Sequence, residues 1–311
     1  MKRAAVVGVA VAAAVVVGGC FVWWLVARPP SAEDAARSYL EALSAGDFAT
    51  IDEMRAVHLD DETERIIAHA FAGAVAFVQD PRIEEISSQG GTVGVRASAE
   101  LAGERRELFF ALGDDGGRWT LSGDYLATLE VTTSLAGSDV LAGDSAWVGG
   151  ALAPAGAPVS LFPAEYPVEA APRGILTGKA SVAVSNNGPS AVALEATLAP
   201  DATEAAQVQV DAYADACTKE AAAVPANCGL RVPWAADLAT LTSIAFRIDR
   251  RPVLALSPDG RTFAATGGVV VATATGMTRS GADASFTYRA DDWALRGTVS
   301  FEGDEMVLAV G

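Results

Sequence analysis

The chain has 311 residues, 51% of them hydrophobic, with 39 acidic against 22 basic side chains and a net charge of −17 at pH 7. A surface that acidic repels phosphate backbones and anionic headgroups, which excludes nucleic acid as a partner for the molecule as a whole. Only three cysteines and two histidines occur, none with metal-ligand spacing, so no metal or cofactor is expected.

Residues 4–27 form an uncharged apolar run preceded by Lys2 and Arg3 and closed by Arg28-Pro29-Pro30. As a helix rising about 1.5 Å per residue, it would span roughly 36 Å, enough for a hydrocarbon core of about 30 Å. Trp23 and Trp24 stand near one end, as residues of the membrane–water interface do. Val17-Gly18-Gly19-Cys20 resembles a bacterial lipobox, in which Cys20 would carry a lipid and begin the mature chain. Met1-Lys2-Arg3 with Ala4 to Val17 also fits a cleaved secretory signal, but the apolar run continues past Cys20 through Phe21 to Val26, which favours an uncleaved transmembrane helix with Cys20 as a small apolar residue. Lys2 and Arg3 place the N-terminus in the cytoplasm and residues 29–311 outside a plasma membrane. Membrane contact through residues 4–27 is therefore the first expected partnership.

An α+β module is expected over residues 31–130. Ser31 with Asp34 approximates a capping box, and Ala32, Ala35, Ala36, Tyr39, Leu40 and Leu43 form the stripe of an amphipathic helix stopped by Gly46. Phe48, Ile51 and Met54 open a short second helix. Asp61 and Glu64 read as a cap for a third helix, which carries Ile66, Ile67, Ala70, Phe71, Ala74, Val75 and Val78 to Asp80-Pro81. From Arg82 the period becomes two, giving strands at 83–86, 93–101, 107–112 and 118–121, the last two joined by the turn from Gly113 to Gly117.

Helices followed by an antiparallel sheet, together with the stretch from Ala35 to Phe48 ending in Ala45-Gly46-Asp47-Phe48, resemble the NTF2-like (cystatin-like cone) superfamily. The resemblance implies a cone-shaped fold but no single activity, because its members include isomerases, binding subunits and passive spacers.

A small β-module is expected over residues 131–200, with strands at 157–162, 166–170, 180–184 and 191–198. Asn186-Asn187-Gly188-Pro189 reads as a hairpin turn between the last two. The run Phe162-Pro163-Ala164-Glu165-Tyr166-Pro167-Val168 resembles the turn-and-strand of small β-sandwich surface modules. Residues 201–311 read as a second α+β unit. Its helix, capped by Asp201, runs over 202–222 with Ala205, Val208, Ala212, Tyr213 and Ala216 on one face. A meander follows at 243–248, 253–256, 263–274, 284–289, 294–301 and 306–310. Gly267-Gly268 reads as a bend or bulge. Cys217 and Cys228 are expected to form a structural disulfide, since neither has a second sulfur or a histidine nearby and the chain is read as extracytoplasmic. One helix, an NTF2-like domain and β-rich domains with a cysteine clip resemble the single-pass envelope proteins of actinobacteria.

No nucleophile elbow, P-loop or dinucleotide fingerprint occurs. The expected function is a binding or scaffold protein of the envelope, holding an envelope protein or a cell-wall polymer, with no catalysis. The alternative is an isomerase or hydrolase pairing His58 with Asp60 or Asp61; against it stands the reading that Asp60 and Asp61 serve as helix caps and His58 lies in a connecting loop. His69, at helical spacing among apolar residues, reads as half-buried.

Overall fold

The computed structural model describes residues 31–135 and 141–311. The apolar run 4–27 and Cys20 lie outside the described residues. Among the described residues, no helix is long and apolar enough to cross a membrane.

The first helix, α1 (Ala32–Ala45), starts at a true capping box. The Ser31 hydroxyl accepts from the Asp34 amide at 3.2 Å, and the Asp34 carboxylate accepts from the Ser31 amide at 3.1 Å. Its stripe buries Ala35, Ala36, Tyr39, Leu40 and Leu43. The second, α2 (Phe48–Glu53), is capped by Asp47, and the third, α3 (Asp61–Ala72), by Asp60. The helix expected to reach Asp80-Pro81 stops at Gly73, where a Cβ would collide with the Gly149 carbonyl. Beyond it the Val75 amide donates to the Glu165 carbonyl and β1 (Ala76–Phe77) pairs with residues 164–165, so tertiary pairing overrides local helical spacing.

Strands β2 (Gln79–Gln89), β3 (Thr92–Leu101), β4 (Glu104–Asp115) and β5 (Arg118–Ser122) form an antiparallel meander in that order. The β4–β5 turn is Gly116-Gly117, both at positive φ, as a two-residue hairpin with the right twist requires. Val93, Val95, Ala97 and Ala99 of β3, with Leu108, Phe110 and Leu112 of β4, face the helices.

The next segment folds into two facing sheets. One holds β7 (Ser145–Val148), β8 (Ala151–Pro154), β10 (Ala164–Ala170) and β12 (Lys179–Val184), with β1 added on β10. The other holds β6 (Ala127–Leu135), β9 (Pro158–Leu161), β11 (Leu176–Thr177) and β13 (Ser190–Leu198), where β6 and β13 run parallel. The hairpin expected at 186–189 is therefore a crossover between sheets. β12 pairs with β10 and β13 with β6. Asn186 explains the difference, because its side chain is spent elsewhere. Its amide oxygen accepts from the Phe109 amide at 3.2 Å, and its nitrogen donates to the Phe109 and Asp124 carbonyls. It thereby satisfies the β4 edge beyond the end of β5.

The C-terminal part packs α4 (Ala202–Cys217) against an antiparallel sheet of β14 (Thr240–Arg250), β15 (Val253–Leu256), β16 (Thr262–Met277), β17 (Asp283–Glu302) and β18 (Glu305–Val310). The helix ends five residues before Ala222, and Asp201 makes no side-chain cap. Its buried face is Ala202, Ala206, Val210 and Ala214, while Val208 is exposed. Gln207 and Gln209 set that rotation by bonding the backbone of Pro252, Leu254 and Met306. The two strands expected at 284–289 and 294–301 are one strand, β17, bent opposite a bulge at Gly267-Gly268.

One apolar core runs without interruption from α1 through the first meander into both sandwich sheets. A second joins the far end of the sandwich to α4 and the last sheet. A polar clamp closes that junction. Asp304, in the β17–β18 turn, accepts from the Trp147 indole at 2.9 Å and the Arg173 amide at 2.7 Å. The Arg173 guanidinium stacks 3.9 Å over the Trp147 ring.

Candidate functional site

The α2–α3 connection carries the histidine and carboxylates read as the enzyme alternative. Residues 54–56 add to the free edge of β5, with the Leu121 amide donating to the Met54 carbonyl at 2.6 Å and the Ala56 amide to the Leu121 carbonyl at 3.3 Å. That pairing turns the Arg55 side chain inward, where it is fully buried. Its guanidinium forks onto Glu64 at 2.5 and 2.6 Å, donates to the Tyr125 hydroxyl at 3.0 Å and touches Asp52 at 3.2 Å. Glu64 also accepts from the Leu59 amide at 2.5 Å, tying the loop to the helix.

The electrostatics follow from this geometry. The Arg55 hydrogen bond holds the Glu64 carboxyl below the usual carboxylate range, against desolvation that would raise it. On Arg55 burial acts to lower the pKa, yet the bonds with Glu64 and Tyr125 outweigh it and raise the pKa above the ordinary value. Tyr39, buried in the helix–sheet space, is pushed well above its ordinary value by desolvation.

The predicted residues separate. His58 is exposed, and its ring nitrogen lies 3.2 Å from Asp52, which bridges it to Arg55. Asp60, not Asp61, caps α3. It accepts from the Thr63 amide at 3.0 Å and the Thr63 hydroxyl at 2.7 Å, and those bonds lower its pKa. Asp61 is exposed in the first turn. His58 thus meets Asp52 rather than either predicted carboxylate. His69 is exposed in the last turn of α3, where the expectation was half-burial. Arg55 and Tyr125 were missed and Glu64 was read only as part of a cap, since pairs nine and seventy residues apart leave no local pattern.

The interior between helices and meander is filled. Tyr39 packs edge-on to Phe110 with centroids 4.7 Å apart, and Phe71 lies against Phe77 and Phe162 at 5.1 and 5.3 Å. Phe162 comes from the sandwich, so the neighbouring module supplies the plug. The concave surface beside His58 is a groove of about 400 Å³ lined by Val57, Leu59, Tyr125, Leu126, Thr128 and Ser160. Val57 and Leu59 are 68% and 45% exposed there. A second groove, about 320 Å³, lies on the outer face of the meander around Phe109, Arg96 and Glu85. Among the described residues, no group of three or more His, Cys, Asp or Glu could hold a metal. Cys217 and Cys228 are joined by a disulfide, with Cα atoms 5.6 Å apart.

No protein-family model, no curated protein and no solved structure matches this chain.

Proposed function

We propose that the chain is a binding or scaffold protein of a cell envelope, held at the plasma membrane by residues 4–27 with residues 29–311 outside. The filled interior of the first module carries this reading. Tyr39, Phe71, Phe110 and Phe162 occupy the space where a cone-shaped fold of the NTF2-like kind would hold a small molecule, leaving grooves and faces as the surfaces for contact. The disulfide suits an oxidising compartment. The partner classes that fit are another envelope protein or a cell-wall polymer.

The test is complementation of a deletion strain by full-length His58→Ala and Asp61→Asn variants. Full complementation by both supports binding. Loss of function in a variant that keeps its melting temperature would make chemistry at the α2–α3 loop the better account. N-terminal mass spectrometry of the membrane fraction tests the anchor, and a lipid-modified Cys20 at the mature N-terminus would replace the transmembrane reading.

A further inference from the structure

In so acidic a chain each arginine has a surplus of carboxylates to choose from. Most of the described basic side chains are engaged accordingly, as Arg37 is with Glu33, Arg105 with Asp80, Arg251 with Asp215 and Arg289 with Asp249. Others donate to backbone carbonyls, as Arg118, Arg250, Arg261 and Arg279 do. Arg231 and Arg296 do neither among the described residues. Both line one groove of about 280 Å³ between residues 229–231 and β17, with Val270 and Trp293 behind them.

Arg231, Asp292 and Arg296 are exposed, and the wall behind them is pinned at three points. One wall follows the Cys217–Cys228 disulfide, and the Trp293 indole donates to the Cys228 carbonyl at 2.8 Å. Gly229 sits at φ +61, and a Cβ there would run into the Ala294 carbonyl oxygen. A smaller space of about 140 Å³, lined by Val232, Pro233 and Tyr288, adjoins it at Arg231. Asp292 lines the groove too and makes no ion pair among the described residues, so the local balance is two free guanidinium groups against one carboxylate. That is a positive spot on a molecule of net charge −17.

We propose that this groove binds a short phosphodiester chain, an inference that rests on the binding reading above and names its ligand. Guanidinium forks match phosphate oxygens bidentately, and two forks present more donors than a single carboxylate has oxygens. The two adjoining spaces, which share Leu230, Arg231, Val270 and Ala290, favour a chain over a compact ion.

Calorimetry on the full-length protein with a synthetic glycerol phosphodiester hexamer tests it, with inorganic phosphate as the comparison. The hexamer is expected to bind. Arg231→Gln and Arg296→Gln should each weaken it about tenfold, the loss of a charge-assisted contact. Asp292→Asn should tighten it roughly threefold by removing a screened repulsion, and Lys219→Gln should leave it unchanged. Binding that survives both arginine substitutions, or no binding by the wild type, overturns the site. Equal affinity for inorganic phosphate overturns the extended ligand. If the arginine variants lose the hexamer yet complement the deletion strain fully, the groove is not the functional site and the scaffold reading stands without it.

Discussion

Replacing Glu64 is the most informative single perturbation. Its carboxylate holds a fully buried guanidinium through two bonds of 2.5 and 2.6 Å and also accepts from the Leu59 amide. Glu64→Gln keeps one accepting oxygen but removes the charge that neutralises the buried guanidinium, leaving the 40%-exposed Asp52 as its nearest carboxylate. Removing one partner of a buried pair costs about 3–5 kcal/mol. The surviving contacts place this case at the low end, about 3 kcal/mol. The double change Arg55→Met with Glu64→Leu should cost less than Glu64→Gln alone, because no orphaned charge remains. The pH dependence has a fixed sign. Glu64's folded pKa is depressed, so its stabilisation is complete above the unfolded value of about 4.3 and is lost as pH falls through the folded one. The gap between wild type and Glu64→Gln should therefore begin to narrow below about pH 4.3 and keep shrinking as the pH falls further. Urea unfolding from pH 3 to 7 checks both claims. A cost under about 1 kcal/mol at pH 7, or a gap constant with pH, would refute the reasoning.

Reducing Cys217–Cys228, eleven positions apart, should lower stability by about 3 kcal/mol on loop entropy, read as a shift in denaturant midpoint with and without reductant. Asn186→Ala removes the bonds to Phe109 and Asp124 and should cost about 1–2 kcal/mol, with faster amide exchange at Phe109 as the local signature. Asp60→Ala should lower the melting temperature while Asp61→Ala leaves it in place, since only Asp60 bonds Thr63. Equal effects would contradict the cap assignment.

Local chemistry made much of the fold legible. The Ser31–Asp34 box, the α1 stripe, the period-two runs from Arg82 onward and the glycine turns each depend on residues within a few positions of one another. So does the short Cys217–Cys228 loop. What the sequence misassigned lay where distant backbone competed with local preference. α3 ends at Gly73, where the Gly149 backbone leaves no room for a Cβ and the chain turns to pair with residues 164–165. Asn186 looks like a turn residue but completes the β4 edge, which makes a crossover of an apparent hairpin. Gln207 rotates α4 by bonding β15. The site divides in the same way. His58 and the α3 cap stand out in sequence, but Arg55, Glu64 and Tyr125 meet only because β5 gathers residues 54–56 onto its edge. Arg231 and Arg296, 65 positions apart, share a groove only because the disulfide and Trp293 hold its walls. Sequence determines what a residue does to its neighbours within a turn or a strand. Which charges are left without partners is decided only when the whole chain has packed.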